Sequence, residues 1–90
     1  MKFVWDPEKA ESNAQKHRVT FTEAATSFGD PLSVTIRDPD ASAEEDRFVL
    51  LGLSTRRRLL VVVHVERGDT IRLISARTAQ PAERRAYEET

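Results

Sequence analysis

Hydrophobic and polar positions alternate, or form short apolar runs, along much of the chain, as they do in β-strands. In "LSVTIR", Leu32, Val34 and Ile36 fall on one side, which predicts a half-buried strand. "RFVLLGLS", "LLVVVHVE" and "TIRLISAR" predict three more strands, separated by "TRRR" and by "RGD". The second of these contains five consecutive aliphatic residues, which favours a central position covered on both faces. "KFVW", near the start, predicts a short edge strand.

Three other segments carry the signals of helix ends. Asp6 precedes a proline, which predicts an N-cap and a first helix over residues 7 to about 16. Thr20 and Glu23 have the spacing of a capping box, which predicts the start of a second helix that ends at "FGDP". A proline at position 81 predicts a terminal helix that runs to about residue 89.

Short turns join the last four strands, so each should pair with the next in antiparallel fashion. The order β, α, α, β, β, β, β, α then predicts an α+β fold. We expect an antiparallel sheet, made of a four-stranded meander and an N-terminal edge strand, with two N-terminal helices on one face and a C-terminal helix. The early helices offer little apolar surface, so the opposite face should stay thinly covered and carry the functional site. The acidic segment 38–46 predicts a loop, and the sequence leaves open whether it becomes ordered on binding.

Length and composition indicate one globular domain over residues 1–90. The chain is 39% hydrophobic and 32% charged, which is ordinary for a folded protein. No apolar run approaches the roughly 20 residues that a membrane helix needs, so we expect no membrane contact and a cytoplasmic location. The absence of cysteine excludes disulfides, thiolate catalysis and zinc sites built on sulfur.

The net charge of −1 conceals an asymmetry between the two halves of the chain. Residues 1–45 hold 5 basic and 9 acidic groups, whereas residues 46–90 hold 9 basic and 6 acidic groups, and all nine of those basic groups are arginine. The planar guanidinium group suits bidentate contact with phosphate or carboxylate, so this half favours an anionic partner. The alternative is that arginine only solubilises a surface rich in strands.

Motifs for phosphate loops, dinucleotides and metalloproteases are missing from the sequence. His17 and His64 are the two histidines, and two are too few for a convincing metal cluster, so we expect neither a metal nor a cofactor. His64 and Glu66 share one face of a predicted strand. A histidine flanked by valines in the middle of a strand also fits a hydrogen-bonded core residue.

The arginines of the predicted meander can be placed by strand alternation. In a regular strand, Arg72 and Arg77 lie on opposite faces of the sheet. Arg77 ends its strand where the terminal helix begins, a place at which a guanidinium group can bind an anion. Because successive turns lie at alternating ends of the sheet, we expect Arg77 to cluster with the turn 56–58 rather than with Arg67.

Three stretches together resemble the BrnT family of toxins: "FVWDPEKAESNAQKHRVTFTEAATSFGDP", "EDRFVLLG" and "LLVVVHVERGDTIRLISARTAQPAERRAYEE". The resemblance runs from about Phe3 to Glu89. It implies a ribonuclease toxin of a type II toxin-antitoxin module with a RelE-like fold. It further implies a BrnA-type antitoxin with a ribbon-helix-helix DNA-binding domain, and a heterotetramer that binds operator DNA through that antitoxin.

The resemblance also implies a set of functional residues, carried over from "KH", "ER", "SAR" and "ER..YE" as they stand here. Family members usually carry glycine after "KH", where it would form a left-handed helix cap, and this chain carries Arg18 there. We hypothesise that Arg77 contacts the scissile phosphate and that proton transfer falls to His17 or His64. The full candidate set is Arg77, His64, His17 and Arg67 for catalysis, and Lys16, Arg72, Arg58 and Tyr87 for RNA binding.

A basic site of this kind suits cleavage of RNA by its own 2′-hydroxyl group. That reaction needs the attacking oxygen aligned with phosphorus, the extra phosphate charge stabilised and the leaving 5′-oxygen protonated, and no metal is required. Two other functions remain open from the sequence. One is a non-catalytic binding module whose arginine-rich face binds an acidic partner or operator DNA. The other is a small structural subunit whose open face is an oligomer contact.

Overall fold

The computed structural model describes residues 1–41 and 45–89, which form one mixed sheet of five strands with three helices. The strand order across the sheet is β1-β5-β4-β3-β2. The elements along the chain are β1 (Lys2–Val4), α1 (Pro7–His17), α2 (Phe21–Thr26) followed by a 3₁₀ turn (Ser27–Gly29), β2 (Val34–Arg37), β3 (Arg47–Leu53), β4 (Leu59–Arg67), β5 (Thr70–Thr78) and α3 (Pro81–Glu88).

Strands β2 to β5 form the predicted antiparallel meander, and β4 lies at its predicted central position. The prediction of a wholly antiparallel sheet is wrong at β1, which pairs with β5 in parallel. These two strands lie near opposite ends of the sequence, so no turn between them could reveal their relative direction. No helix within the described residues is long and apolar enough to cross a membrane.

The two faces of the sheet differ in what covers them. Val19, Phe21 and Ala24, from α2 and the segment before it, pack with buried side chains of the sheet into the main core. We call this side the helix-covered face, and the buried hydrophobic residues that the sheet contributes to it are Leu50, Leu60, Val62, Ile71, Leu73 and Ala76. The opposite side, which we call the arginine face, carries Val61, Val63 and Val65 of β4 with Arg67, Arg72, Ser75 and Arg77.

A β-bulge in β5 decides which side chains reach the arginine face. Leu73 lies opposite His64, but Ser75 lies opposite the preceding residue of β4, so Ile74 is an extra residue in β5. Arg72 and Arg77 therefore lie on the same face. The prediction that they lie on opposite faces is wrong, because it assumed unbroken alternation.

Strand β2 is an edge strand, and its outward apolar residues are largely exposed. Ile36 is 57% exposed and Leu32, just before the strand, is 67% exposed. The prediction of a half-buried strand is wrong for these two residues, because β3 is the one element of the described residues that contacts β2 extensively. The predicted loop 38–46 lies partly outside the described residues. Where it is described, the carboxylate of Asp38 accepts a hydrogen bond of 2.9 Å from Nε of Arg47.

The first two helices begin with the predicted side-chain caps. Oδ1 of Asp6 accepts a hydrogen bond of 2.8 Å from the N–H of Glu8, and Oγ1 of Thr20 accepts one of 3.1 Å from the N–H of Glu23. The second capping box is half formed, since the Glu23 carboxylate binds Arg58 and Ser54 instead. Both helices start where the sequence predicts, and α1 ends one residue later.

Helix α1 ends on a left-handed residue, although that residue is not glycine. Arg18 has φ 60° and ψ 31°, and its N–H donates to the carbonyl of Ala14. This conformation costs an L-residue roughly 1 kcal/mol relative to glycine. The departure from the family pattern therefore leaves the shape of the cap intact and adds local strain.

The side chain of Asn13 closes the outer edge of β5 beyond the reach of β1. Strand β1 pairs only with residues 70–72, so the edge at Ala76 needs another partner. The amide nitrogen of Asn13 donates to the carbonyl of Ala76 at 2.8 Å and to that of Val19 at 2.9 Å. Its amide oxygen accepts from the N–H of Ala76 at 3.0 Å. Asn13 thus replaces a strand neighbour and binds α1 to the sheet.

Candidate nucleic-acid interface

A groove between α1 and the outer edge of β5 collects two of the candidate residues. The last turn of α1 brings Lys16 and His17 to the groove, and the bulge brings Ile74 and Ser75 to its other wall. His17 is half-buried and Lys16 is exposed. The groove has a volume of about 430 Å³ and is lined by Asp6, Glu8, Lys9, Ser12, Asn13, Lys16, His17, Ile74 and Ser75.

The groove borders the arginine face at Ser75. Arg72, Ser75 and Arg77 lie on one face of β5, so the two arginines precede and follow, along the strand, the residue at which the groove reaches the sheet. Arg72 and Arg77 are five positions apart in β5, so their Cα atoms are roughly 15 Å apart along the strand. The bulge therefore puts Arg72 and Arg77 on the side of the strand that also presents Ser75 to the groove.

Arg67 and Arg72 form a second, smaller recess at the other end of the arginine face. With Val65, Thr70 and Glu45 among its walls, the recess has a volume of about 240 Å³. Within residues 1–41 and 45–89, neither guanidinium group has a carboxylate at ion-pair distance. Both guanidinium groups are exposed, and the carboxylate of Glu45 lies in the wall of the same recess.

Arg77 is held by a carboxylate at the start of α3. Its two terminal nitrogens donate to the two oxygens of Glu83, each at 2.8 Å. These hydrogen bonds, helped by the N–H of Gln80, hold the pKa of Glu83 below its usual value even though burial opposes the shift. The side chain of Arg77 is still 39% exposed. A phosphate that binds it must share the guanidinium group with Glu83 or displace that carboxylate.

Arg58 lies at the same end of the sheet as Arg77 but binds a buried carboxylate on the helix side. Its Nε donates to Glu23 at 3.0 Å, a terminal nitrogen donates to the second oxygen of Glu23, and the same nitrogen donates to the carbonyl of Arg18 at 2.9 Å. The Glu23 side chain is 3% exposed. Hydrogen bonds from Arg58, against the effect of burial and with help from Ser54, lower the pKa of Glu23. This guanidinium group joins α2 to the turn between β3 and β4.

His64 is a core residue of the helix-covered face and is fully buried. Its Nε2 lies 2.9 Å from the carboxylate of Glu66, and its Nδ1 lies 3.2 Å from the carbonyl of Val62. The rings of Phe28 and Phe48 pack against the imidazole. The structure thus places the two histidines apart, and His17 is the one at the groove. In the described part of the chain, no group of three or more His, Asp or Glu residues could hold a metal ion.

Tyr87 links α3 to the start of β2 through Asp30. The tyrosine hydroxyl donates to Asp30 at 2.6 Å, and the N–H groups of Leu53 and Leu32 also donate to that carboxylate. Burial would raise the pKa of Asp30, but these hydrogen bonds together lower it. The phenol oxygen therefore already serves the fold.

The sequence did not predict that Ile74 and Ser75 form the wall of the groove opposite His17. Ile74 and Ser75 are in place because of the bulge, and the apolar run around them gave no sign of an inserted residue. Asn13 left a weak signal, since a polar side chain beside Ala10 and Ala14 interrupts the narrow apolar stripe of α1.

Comparisons with known proteins agree with this fold. The profile of the family described as "Ribonuclease toxin, BrnT, of type II toxin-antitoxin system" matches residues 5–83. The crystal structure of the ribonuclease toxin BrnT from Brucella abortus is similar, with a TM-score of 0.68 over 89% of this chain and 97% of that one. Sequence identity is 23%, so this likeness shows the fold alone. No curated protein matches the chain by sequence.

Proposed function

The chain belongs to the BrnT family of ribonuclease toxins of type II toxin-antitoxin systems, and from this premise we propose that it is a metal-independent endoribonuclease acting in the groove between α1 and β5. The observation that carries the location is the meeting of Lys16 and His17 with Ser75 in one groove, beside a face that presents Arg72 and Arg77. A phosphodiester at the end of that groove near His17 has a group for proton transfer and the ammonium group of Lys16, with Arg72 and Arg77 on the adjoining face. The lining of the groove also includes Lys9 and the carboxylates of Asp6 and Glu8.

His17 moves a proton in this proposal. The 2′-oxygen attacks phosphorus and gives up its proton, the bond to the 5′-oxygen breaks, and that oxygen takes up a proton. An imidazole near neutral pH can serve either transfer. His17 is half-buried in the groove, whereas His64 lies in the core, so the proposal keeps His17 and assigns His64 to the fold.

The cations stabilise the charge that builds up on the phosphate. Lys16 lies in the groove beside His17, and Arg77 is oriented by Glu83 on the adjoining face. A phosphate that shares this guanidinium group with Glu83 meets a cation that is already oriented, and such preorganisation is the condition for effective electrostatic stabilisation. Arg72 and Arg67 bind flanking phosphates along the arginine face. Arg58 and Tyr87 act on RNA only indirectly, by holding the turn and α3.

The proposal also includes an antitoxin partner and a cellular location. A BrnA-type antitoxin with a ribbon-helix-helix domain neutralises it, and the two form a heterotetramer that binds operator DNA. The chain acts in the cytoplasm as one toxin domain, residues 1–90, with a RelE-like fold. Exposed apolar residues beside the arginine face, among them Ile36 and Leu53, support a protein partner there, because an interface needs an apolar centre.

One observation favours a second function, that of a non-catalytic binding module. Arg77 already holds the carboxylate of Glu83 in bidentate fashion, so this surface suits acidic side chains of a partner as well as phosphate. A module of this kind would bind RNA or an acidic protein without cutting either.

The two functions are separated by incubating the purified protein with an RNA oligonucleotide in excess EDTA. We expect cleavage that leaves a 2′,3′-cyclic phosphate and a 5′-hydroxyl, and no cleavage when the nucleotide before the scissile bond lacks its 2′-hydroxyl group. Activity that vanishes in EDTA and returns with magnesium would contradict the proposal, as would equal cleavage of the 2′-deoxy substrate. RNA that is bound but never cut would identify a binding module.

A further inference from the structure

A second group of exposed cations lies where α1 ends and the turn between β3 and β4 comes close to it. We call Arg18, Arg56 and Arg57 the arginine corner. The two segments are joined by Arg58, which donates to the carbonyl of Arg18 at 2.9 Å. The corner is separate from the arginine face. Arg58, which joins its two segments, binds Glu23 on the helix-covered face of the sheet.

Two members of the corner have a backbone conformation that L-residues seldom adopt. Arg18 has φ 60° and Arg57 has φ 65°, and they are the two positive-φ residues other than glycine among those the structure describes. Such strain persists only where the surroundings impose it, and it concentrates at functional sites. Glycine would fit either position without strain. The placement of arginine at both suggests that the guanidinium groups themselves have a use.

The network below the corner fixes the backbone from which these side chains project. Glu23 holds Arg58, and Oγ of Ser54 accepts from the N–H of Arg56 at 3.2 Å and from that of Arg58 at 3.3 Å. The carbonyl of the same serine accepts from the N–H of Arg57 at 2.9 Å. Hydrogen bonds therefore hold the backbone of the turn, while the side chains at 56 and 57 remain exposed.

The guanidinium groups of the corner are available to an outside anion. In the part of the chain that the structure describes, none of Arg18, Arg56 and Arg57 has a carboxylate within ion-pair distance. Glu11 borders the same shallow recess as Arg18 without forming such a pair. Glu23, the buried acid of the described residues, is hydrogen-bonded to Arg58, and the charge of Arg56 also helps to lower the pKa of Glu23.

We propose that the arginine corner binds the phosphodiester backbone of single-stranded RNA beyond the cleavage groove. This inference rests on the proposed function, since it extends the path of the same substrate. Lys16, His17 and Arg18 are consecutive, so a strand that leaves the groove at the end of α1 meets the corner next. Thr20 and Thr55, the exposed neighbours, are polar, which suits a phosphate backbone better than a protein interface with an apolar centre.

The test measures the salt dependence of RNA binding with a 2′-O-methyl oligonucleotide, which cannot be cut through a 2′-hydroxyl. Fluorescence anisotropy gives Kd from 50 to about 300 mM salt for the wild type and for the double variant Arg18→Gly, Arg57→Gly. Glycine relieves the strain at both positions, so the variant should fold. Loss of two phosphate contacts should reduce the slope of log K against log salt by about 1.4 and raise Kd at 0.1 M salt by about 10- to 30-fold.

Two control variants separate the position of the corner arginines from their charge. Arg84→Gln with Arg85→Gln deletes two exposed charges from α3 and should leave the slope unchanged. Arg18→Lys with Arg57→Lys keeps the charges and should preserve most of the slope. An unchanged slope in the glycine variant, or an equal drop in the α3 variant, would overturn the inference while leaving cleavage in the groove intact. A wild type that shows no salt-dependent binding to RNA would overturn both proposals.

Discussion

His17→Gln should lower kcat for RNA cleavage by a factor of about 10² to 10⁴, the usual contribution of a positioned acid or base. Glutamine keeps much of the size and polarity of histidine but cannot take up or release a proton near neutral pH. Since His17 ends α1 and is half-buried, the melting temperature should change little. Single-turnover cleavage at saturating enzyme measures the chemical step separately from binding.

The matched comparison is His64→Gln, because both histidines fit the sequence-based hypothesis of proton transfer. His64 is fully buried between two aromatic rings, so its replacement should cost about 1 to 3 kcal/mol of stability. Activity per folded molecule should remain near that of the wild type. The assignment of His17 fails if its variant cleaves within threefold of the wild type, or if the two variants lose activity equally per folded molecule.

Asn13→Asp should reduce the free energy of unfolding at pH 7 by about 3 to 5 kcal/mol. The side chain loses both donors, which leaves the carbonyl groups of Val19 and Ala76 facing a buried carboxylate. Because burial beside two carbonyl oxygens favours the neutral acid, the pKa of this carboxyl should rise on folding. The loss of stability should therefore shrink as the pH falls through the folded-state pKa, since the neutral acid can donate one hydrogen bond.

Urea denaturation between pH 4 and pH 8 tests this expectation, and Gln15→Glu supplies the control. Gln15 is an exposed amide on the same helix, and its change to an acid should alter stability by less than about 0.5 kcal/mol. A loss below about 1 kcal/mol for Asn13→Asp, or one equal to that of Gln15→Glu, would show that the edge of β5 does not depend on this amide.

Local signals in the sequence predicted the elements well and their long-range partners poorly. Asp6 and Thr20 mark helix starts because caps act within three residues. The succession of strands and the short turns after β3 and β4 predicted the meander of β2 to β5, but the parallel pairing of β1 depends on contacts with residues 70–72 far along the chain. The bulge at Ile74 carries no glycine or proline signal, so strand alternation placed Arg72 and Arg77 on different faces when they share one.

For the candidate site, too, the sequence indicated residues through local motifs but not their long-range contacts. The pair Lys16 and His17 followed from a local motif, and the structure brings both to one groove. Arg58 and His64 looked equally available in the sequence, yet the first is held by Glu23, 35 residues away, and the second is enclosed by aromatic rings from other elements. Residue type indicates what a side chain can bind, and only packing decides whether it is already bound.

Amide chemical shifts of the isotopically labelled protein, titrated with the 2′-O-methyl RNA, test most directly whether RNA lies in the groove. We expect the largest changes at residues 16–18 and 74–77, with smaller ones at Arg67 and Arg72. Changes concentrated on β2 and β3, with residues 16–18 and 74–77 unmoved at saturating RNA, would contradict this account of where the chain holds its substrate.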